Sequence, residues 1–170
     1  MSQKLRICEI GPGDEKKMKD SIGIDIRKTK ETNIIGDAHD MPFKNDCFDY
    51  VCSSHVIEHF SHCEVDNVLS EWTRILKPEG TLEILCPDLR ARSLLFALKP
   101  SWGNIQNIYG GQDYSANYHK SGFSYKLLKN LLEKQGITQI KRIRDGYKGI
   151  PFIPNCLHVK GIKRNNYSYK

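Results

Sequence analysis

Three groups of residues near the start of the chain are of types that could hold a nucleoside-like ligand. Gly11 and Gly13 follow an apolar run, and glycine lets a backbone turn tightly and come close to a ligand. Asp25 ends a second apolar run, where its carboxylate could accept hydrogen bonds from two ribose hydroxyls. Asp37 and Ala38 end a third run, where a carboxylate and a backbone N–H could reach the amino group and a ring nitrogen of an adenine.

A parallel sheet would bring these residues together, because ligands of open α/β sheets bind where the strands end. Apolar runs without strict alternation are typical of strands covered on both faces, and each such run here is followed by a turn signal. Those runs are residues 5–10, 22–26, 33–37, 48–54 and 81–87. Helical spacing of apolar residues between the last two runs predicts a helix that begins at Ser61 or Cys63 and ends at residues 77–80. A strand, a helix and a strand in that order form a parallel βαβ unit.

The second half of the chain predicts one more helix and two more strands. The helix covers about residues 125–135, with Gly136 at its end, and the strands cover 137–143 and 156–162. Between these halves, residues 100–122 form a polar, aromatic and glycine-containing stretch. A long loop without secondary structure inside a small domain is usually a lid or a binding loop. We therefore predict one domain over residues 1–163 with a lid or substrate loop at about 100–122, and a basic tail over 164–170.

Composition restricts the function classes. The net charge is +6 with an isoelectric point near 9.0, and charges of both signs are mixed along the chain, so we expect neither disorder nor a dedicated nucleic-acid-binding arm. No apolar run is long enough to span a membrane or to serve as a signal peptide, which predicts a cytoplasmic protein without a membrane span. The six cysteines contain no Cys-x-x-Cys pair, and we expect them to be thiols.

Six stretches in the first half of the chain form a recognisable series. They are Glu9–Gly13, Gly23–Ile26, Gly36–Phe43, Cys47–Val51, Ser54–Phe60 and Glu71–Leu82. Their order and spacing resemble those of the class I S-adenosylmethionine-dependent methyltransferases, and residues 109–112 and 119–123 are similar to a small, poorly characterised type 11-like subgroup. The resemblance implies a single Rossmann-like α/β domain. Its seven-stranded sheet would be mostly parallel, with an antiparallel last strand and reduced helices.

The resemblance also implies S-adenosyl-L-methionine as the cofactor and assigns its contacts. The glycines would pass the methionine portion with an acid helping to hold its amino group, other acids would bind the ribose and the adenine, and serines would lie beside the sulfonium. The implied residues are Gly11 and Gly13 with the acid Glu9 for the methionine portion, Asp25 for the ribose, Asp37 with Ala38 for the adenine, and Ser53 and Ser54 beside the sulfonium. Two connections depart from the family pattern, because residues 14–21 and 27–32 are too short for the usual helices.

One pattern in the chain points to different chemistry. His55, Glu58 and His59 match the His-x-x-Glu-His pattern of inverted zinc proteases, and His62 and Cys63 follow closely. That zinc site needs a helix that places both histidines on one face, together with a distant third ligand. Here the pattern directly follows a predicted strand and overlaps a methyltransferase stretch. From the sequence we therefore expect no metal.

The predicted reaction is methyl transfer to an oxygen or nitrogen of a small-molecule or sugar-type acceptor. His119 is the first candidate for a general base because histidine titrates near neutral pH, with His55 second and Tyr109 as a positioning residue. The chain has no Asp/Asn-Pro-Pro-Tyr/Phe sequence after the fourth strand, so we do not expect a nucleic-acid substrate. Only residues 100–122 and 148–155 remain to enclose an acceptor, which predicts a shallow lidded pocket or one completed by a second subunit, for example in a homodimer.

Two alternatives stay open at this point. The chain could be a cofactor-binding but inactive module or partner subunit, because the segment after the glycine turn is so short. It could also be an NAD-dependent α/β enzyme, although the dinucleotide-binding fingerprint needs a third glycine where Lys16 stands.

Overall fold

A seven-stranded sheet forms the centre of the molecule. The computed structural model describes residues 4–144 and 155–165. The strands are β1 (Ile7–Ile10), β2 (Ile22–Asp25), β3 (Ile34–Ile35), β4 (Phe48–Ser54), β5 (Leu76–Pro87), β6 (Ile137–Arg142) and β7 (Cys156–Lys163). The helices are α1 (Val65–Ile75), α2 (Leu89–Leu98), α3 (Trp102–Tyr109) and α4 (Tyr125–Lys134), and a 3₁₀ turn covers Ile57–His59.

The strand order confirms the predicted fold class. The order across the sheet is β3-β2-β1-β4-β5-β7-β6. All pairs from β3 to β5 are parallel, whereas β7 runs antiparallel to both of its neighbours. This is a mostly parallel sheet with an antiparallel last strand. The parallel strand ends therefore meet at one edge, where the predicted polar residues stand.

Helices α1 and α4 cover one face of this sheet. In α1 the residues Val68, Leu69, Trp72 and Ile75 are buried, because they recur at the three- and four-residue spacing that places side chains on one side of a helix. Leu128 and Leu132 of α4 are buried by the same spacing. These side chains pack with inward-facing strand residues in the main hydrophobic core. Strand members of that core include Cys8, Ile10, Ile24, Phe48, Val51, Leu82, Ile84 and Val159.

The connections from β1 to β2 and from β2 to β3 contain no helix, which confirms the expectation from their length. Parallel neighbours are usually joined through a helix, but here eleven residues join β1 to β2 and eight join β2 to β3. The second core cluster is correspondingly small and contains Met18 of the first connection. Its other buried members are Cys52, Leu85 and Cys156, one from each of three strands.

The predicted loop at 100–122 is partly wrong, because α3 occupies its first third. Ser101 begins α3 by accepting a hydrogen bond from the N–H of Asn104 over 3.2 Å. The sequence analysis also did not predict α2, which Asp88 begins by accepting from the N–H of Ala91. Neither helix has a buried residue, so neither shows the apolar stripe from which a helix is recognised.

Several element boundaries also differ from the prediction. The third strand shortens to two residues, and α1 begins at Val65 because a turn from Ser61 precedes it. The chain enters β5 directly at Leu76, so residues 77–80 lie within the strand. Residues 148–154 of the predicted acceptor region and 166–170 of the predicted tail lie outside the described residues. No helix in the described ranges is long and apolar enough to cross a membrane.

A half-buried ion pair holds the segment after β3 against α1. Arg74 donates to both carboxylate oxygens of Glu71, at 2.6 and 2.7 Å, and also to the carbonyl oxygens of Met41 and Phe43 and to Asn45. Glu71 accepts a third hydrogen bond from the Met41 N–H at 2.7 Å. The Arg74 guanidinium thereby lowers the pKa of Glu71 below its usual value. This network fixes the chain that follows Asp37, one of the predicted site residues.

We expect Glu71→Gln to lower the free energy of unfolding by about 1–3 kcal/mol at pH 7, because it removes the charge from a hydrogen-bonded pair. Since the folded-state pKa of Glu71 is below its unfolded value of about 4.3, its contribution is complete above that value and is lost as the pH falls through the folded-state pKa. Urea unfolding at about pH 7 and at about pH 3.5 measures this change.

The matched control is Glu133→Gln. Glu133 is 51% exposed and its oxygen lies 3.6 Å from Lys129 Nζ, so this change should alter stability by no more than about 0.5 kcal/mol. A Glu71→Gln effect of the same size at both pH values would contradict the assignment.

Candidate active site

Gly11 forms the turn at the end of β1, and the site depends on its lack of a side chain. Its φ is +64°, in the left-handed region, and its N–H donates to the carbonyl oxygen of Ile24 in β2 over 2.8 Å. A Cβ on Gly11 would lie 2.4 Å from Cγ2 of Val56. The turn after β1 and the segment after β4 therefore approach each other closely over the strand ends.

Glu9 holds the segment that follows this turn. Its side chain is buried, and its carboxylate accepts from the N–H of Lys17 at 2.8 Å, the N–H of Met18 at 3.1 Å and the hydroxyl of Ser21 at 3.0 Å. A buried carboxylate is costly unless hydrogen bonds replace its water. The three donors meet that need and fix residues 17–21 without a helix.

Asp25 ends β2 and has one backbone donor on each carboxylate oxygen. Oδ2 accepts from the N–H of Gly13 at 3.2 Å and Oδ1 from the N–H of Arg27 at 2.9 Å. The Arg27 guanidinium in turn lies 5.0 Å from the centre of the Tyr114 ring, in a cation–π contact. Asp25 thus connects the glycine turn with a residue of the predicted loop at 100–122.

Asp37 follows β3 and turns its carboxylate back onto His39. Its Oδ1 lies 2.9 Å from the backbone N and 2.8 Å from Nδ1 of His39. The backbone N–H of His39 lowers the pKa of Asp37, so this carboxyl group is ionised at neutral pH. The His39 ring meets the Phe60 ring edge-on, with centroids 4.8 Å apart.

These strand ends surround a cavity of about 280 Å³. Of the residues predicted from the sequence, it is lined by Gly11, Asp25, Asp37, Ala38 and His55. Residues from the segment after β4 and from the loop after α3 complete the wall. Among these are Val56, His59, Phe60, Tyr114, Ala116 and Lys120.

His55 follows β4 in a conformation that non-glycine residues seldom adopt. Its φ is +56°, its N–H donates to the Leu85 carbonyl at 2.8 Å, and its Nδ1 lies 3.1 Å from Oε1 of Glu58. Its Nε2 lies 4.0 Å from Sγ of Cys156. Burial opposes protonation of this imidazole, but the bonds with Cys156 and Glu58 outweigh burial and raise the pKa of His55 to about 9.

His119 and Tyr109 are placed beside the cavity and not on its wall. The His119 Nδ1 lies 3.0 Å from the carbonyl oxygen of Ile108, and the His119 backbone N–H donates to that of Tyr109 at 2.9 Å. Burial lowers the pKa of His119 despite the nearby Glu58 carboxylate. Tyr109 is 56% exposed. The two residues therefore join α3 to the loop that follows it.

Comparison with known proteins finds a family model that matches part of the chain. Residues 15–84 match the family model described as a methyltransferase domain. The matched stretch and the methyltransferase structures that share the fold are consistent with a class I S-adenosylmethionine-dependent methyltransferase. No protein of curated function matches the sequence.

Solved methyltransferase structures share the fold. An S-adenosylmethionine-dependent methyltransferase from Thermotoga maritima is 20% identical, with a TM-score of 0.63 and with 96% of this chain and 84% of that chain aligned. One from Archaeoglobus fulgidus is 18% identical, with a TM-score of 0.65 over 94% and 86% of the two chains. The Burkholderia thailandensis 1,6-didemethyltoxoflavin-N1-methyltransferase, solved with S-adenosylhomocysteine, is 14% identical, with a TM-score of 0.65 over 96% and 72%.

The partial family match and a structural neighbour solved with S-adenosylhomocysteine indicate S-adenosylmethionine as the cofactor, and the pocket residues fit it. Each oxygen of the Asp25 carboxylate has one backbone donor, and a carboxylate oxygen can accept a second hydrogen bond. Asp37 is ionised beside Ala38, and Gly11 presents backbone where a side chain could not stand. The hydroxyl and amino groups of a nucleoside can donate to these carboxylates. The amino-acid part of the cofactor can lie against the glycine backbone.

Four predicted cofactor residues stand behind the pocket wall of the methyltransferase. Glu9 and Gly13 act on the glycine turn through the bonds described above. The Ser53 side chain is fully buried, and its hydroxyl has no hydrogen-bond partner among the described residues. Ser54 is half-buried and is also absent from the lining. The wall after β4 instead begins at His55, because the positive φ there turns the chain across the strand ends.

Several wall residues are not among the predicted site residues, because those predictions concentrate on strand ends and on the loop at 100–122. Arg27, His39 and Phe60 each stand two or more residues beyond a strand, where only their neighbours' contacts place them on the cavity. The resemblance of residues 36–43 and 54–60 to family motifs was the signal that could have identified His39 and Phe60. Tyr114 and Lys120 lie in the stretch that was predicted to be a binding loop.

We expect Gly11→Ala to lower the free energy of unfolding by about 2–5 kcal/mol. The positive φ costs a residue with a Cβ about 1–2 kcal/mol, and the contact with Val56 adds about 1–3 kcal/mol of overpacking. Gly13→Ala is the matched control, since Gly13 has a φ of +60° but nothing within 4 Å of an added Cβ. Urea unfolding of both variants separates the two costs, and equal losses would contradict the role of the Val56 contact.

Proposed function

We propose that the chain transfers the methyl group of S-adenosylmethionine to an oxygen or nitrogen atom of a small-molecule or sugar-type acceptor. The observation that carries the proposal is the cavity itself. It joins the ends of the first four strands to the segment 55–60 and the loop after α3, and its volume lies near the lower end for ligand sites. A cofactor would fill most of it, so the acceptor must be small or must enter from the open side.

We propose that the strand-end acids hold the nucleoside part of the cofactor. Asp25 would accept from the ribose hydroxyls, and Asp37 with Ala38 would contact the adenine. Gly11 would pass the methionine part, while Glu9 and Gly13 would act indirectly by fixing the turn. Support comes from the free acceptor capacity of Asp25 and from the presence of Gly11, Asp25, Asp37 and Ala38 in the lining of one cavity.

The acceptor would bind on the side formed by His55, His59 and Lys120. These residues give the wall nitrogen atoms opposite the strand-end acids. Ser53 and Ser54 remain candidates for contact near the sulfonium through their backbone. His119, the first general-base candidate from the sequence, lies off the wall, and His55 is therefore our candidate for direct contact with the acceptor.

Methyl transfer from a sulfonium is an in-line displacement, and the bound cofactor supplies an already activated methyl group. The chain itself then has to align the acceptor atom and exclude water from it. His55 is suited to alignment, because Glu58 fixes its ring on one side and Cys156 lies on the other. Tyr114 and its contact with Arg27 would shield the cofactor side.

Asp25→Asn tests the cofactor assignment. We expect it to weaken S-adenosylhomocysteine binding about 10- to 100-fold in isothermal titration calorimetry, because a charged acceptor of hydroxyl hydrogen bonds is replaced by a neutral amide. Asp20→Asn is the control, since the Asp20 side chain is 68% exposed at the far end of the β1–β2 connection. The S-adenosylhomocysteine affinity of this variant should equal that of the wild type. An unchanged affinity of the Asp25 variant would overturn the ribose assignment. NAD should not bind to either form.

A screen of oxygen- and nitrogen-bearing small molecules for S-adenosylhomocysteine release tests the reaction. With an acceptor from this screen, we expect His55→Asn to lower the rate at least about 10-fold with little loss of S-adenosylhomocysteine affinity. Asparagine tolerates the positive φ at this position, so the fold should persist. Full activity of the variant would remove His55 from the acceptor site. Sedimentation velocity of the same samples tests the homodimer, which stays a prediction.

A further inference from the structure

A second cluster of ligand-type side chains stands beside the methyltransferase pocket. One carboxylate oxygen of Glu58 and ring nitrogens of His59 and His119 all lie within 4.8 Å of one another. Two of these residues come from the 3₁₀ turn after β4 and the third from the loop after α3. Such a cluster is not a consequence of sequence proximity, because 60 positions separate His59 from His119.

Glu58 contributes a buried carboxylate that is only half satisfied. The residue is 1% exposed, its Oε1 lies 3.1 Å from Nδ1 of His55, and its buried Oε2 has no hydrogen-bond partner among the described residues. A buried polar atom without a partner costs roughly 1–3 kcal/mol, more when it carries charge. One residue of this cluster therefore carries a buried acceptor oxygen that the described structure leaves without a partner.

Both histidines are oriented so that Nε2 is left for another ligand. Nδ1 of His59 lies 3.0 Å from the Tyr118 carbonyl oxygen, and Nδ1 of His119 lies 3.0 Å from that of Ile108. A carbonyl oxygen only accepts, so Nδ1 carries the proton in each ring and Nε2 keeps its lone pair. Metal-bound histidines are held in this way, with the second ring nitrogen donating to a carbonyl or a carboxylate.

Backbone hydrogen bonds join the two segments that carry the three residues. The Glu58 carbonyl accepts from the N–H of Lys120 at 2.8 Å and of Ser121 at 3.1 Å. The loop is therefore attached directly to the 3₁₀ turn immediately after His119. The rings of His59 and His119 meet edge-on with centroids 5.2 Å apart, which is close enough for small side-chain rotations to bring both onto one ion.

We propose that Glu58, His59 and His119 bind a divalent transition-metal ion. Two imidazole nitrogens with one carboxylate oxygen form a ligand set typical of Zn²⁺ and Fe²⁺, and imidazole disfavours Mg²⁺ and Ca²⁺. Metal–ligand distances of about 2.0–2.2 Å require the three atoms to approach to roughly 3.4 Å. The half-satisfied Glu58 carboxylate supplies the attraction for that movement.

The sequence predicts no metal because the His-x-x-Glu-His pattern lacks both a helix and a distant third ligand. The structure supplies the distant ligand. His55 and His59 are not the pair that converges, because the cluster contains His59 and His119 but not His55. His119 instead supplies the distant ligand, so no long helix is needed. Three protein ligands leave at least one coordination position open, and His59 also lines the cavity. On the proposed function, an acceptor oxygen or nitrogen atom would fill that position from the pocket side.

Metal binding is tested first without any turnover. Untagged protein stripped with a chelator is titrated with Zn²⁺ by calorimetry and with Co²⁺ by visible absorption, each in the presence of about 5 mM Mg²⁺. We expect one ion per chain, with Co²⁺ bands that Zn²⁺ removes. Glu58→Gln and His59→Gln should each weaken binding about 100-fold or more. Two variants keep the test valid if one of them does not fold, and S-adenosylhomocysteine binding reports the folded state.

His62→Ala is the matched control, because His62 is exposed and its Nε2 lies 3.3 Å from Sγ of Cys63, which together could attract an ion unspecifically. This change should leave the one-ion binding intact. Three results would overturn the site. The wild type and both Gln variants could bind the ion equally, only the His62 variant could lose binding, or the wild type could bind no stoichiometric ion. Methyl transfer that is unchanged by stripping the bound ion would overturn the acceptor role while leaving the site itself and the proposed function in place.

Discussion

The buried carboxylate of Glu9 is the interaction on which the ligand-binding edge of the sheet depends. Eleven residues join two parallel neighbouring strands, and no helix packs them against the sheet. Glu9 replaces that packing with three hydrogen bonds to Lys17, Met18 and Ser21. The bonds fix the far end of the connection, and Met18 fills the small core cluster beneath it. With that end held, Gly11 can bond to β2 and Gly13 to Asp25.

The shortness of these connections also explains why the loop after α3 is important for the pocket. Short connections on the β2 and β3 side leave the cavity open, and Tyr114 closes part of it by stacking under the Arg27 guanidinium. Further along, Lys120 and Ser121 bond to the 3₁₀ turn that follows β4. The loop therefore contacts both ends of the cavity wall. Helices α2 and α3, which bury no residue of their own, serve mainly to bring that loop back across the strand ends.

The sheet and the strand-end acids could be predicted from the sequence because both depend on local signals. Apolar runs and turn residues determine β1, β2 and β4, and strand order follows from the family resemblance. Asp25 and Asp37 then stand on the wall because the carboxyl ends of the parallel strands meet at one edge of the sheet. Helix α2 could not be predicted, because it packs no apolar stripe and so leaves no periodic pattern. Its existence depends on the Asp88 cap and on tertiary position.

The acceptor side could not be predicted for a different physical reason. The position of His55 depends on a positive φ, and the sequence gives no sign that a histidine adopts it. That one torsion angle moves the wall away from Ser53 and Ser54 and aims the next turn at the loop after α3. It also brings His55 onto one oxygen of Glu58, while the other oxygen has no hydrogen-bond partner among the described residues.

The cluster of Glu58, His59 and His119 therefore requires both the 3₁₀ turn and the loop after α3, and neither segment forms it alone. The 3₁₀ turn alone would expose Glu58, whose carboxylate would then be hydrated and unremarkable. The loop alone would carry His119 with no partner except its own backbone. Their backbone bonds bury the carboxylate and orient both rings at once, so the energetic cost of the unsatisfied oxygen is incurred only in the assembled site. A cost that arises only on assembly is expected to be offset there by what binds, and this is why we assign the cluster a ligand of opposite charge and not a structural role.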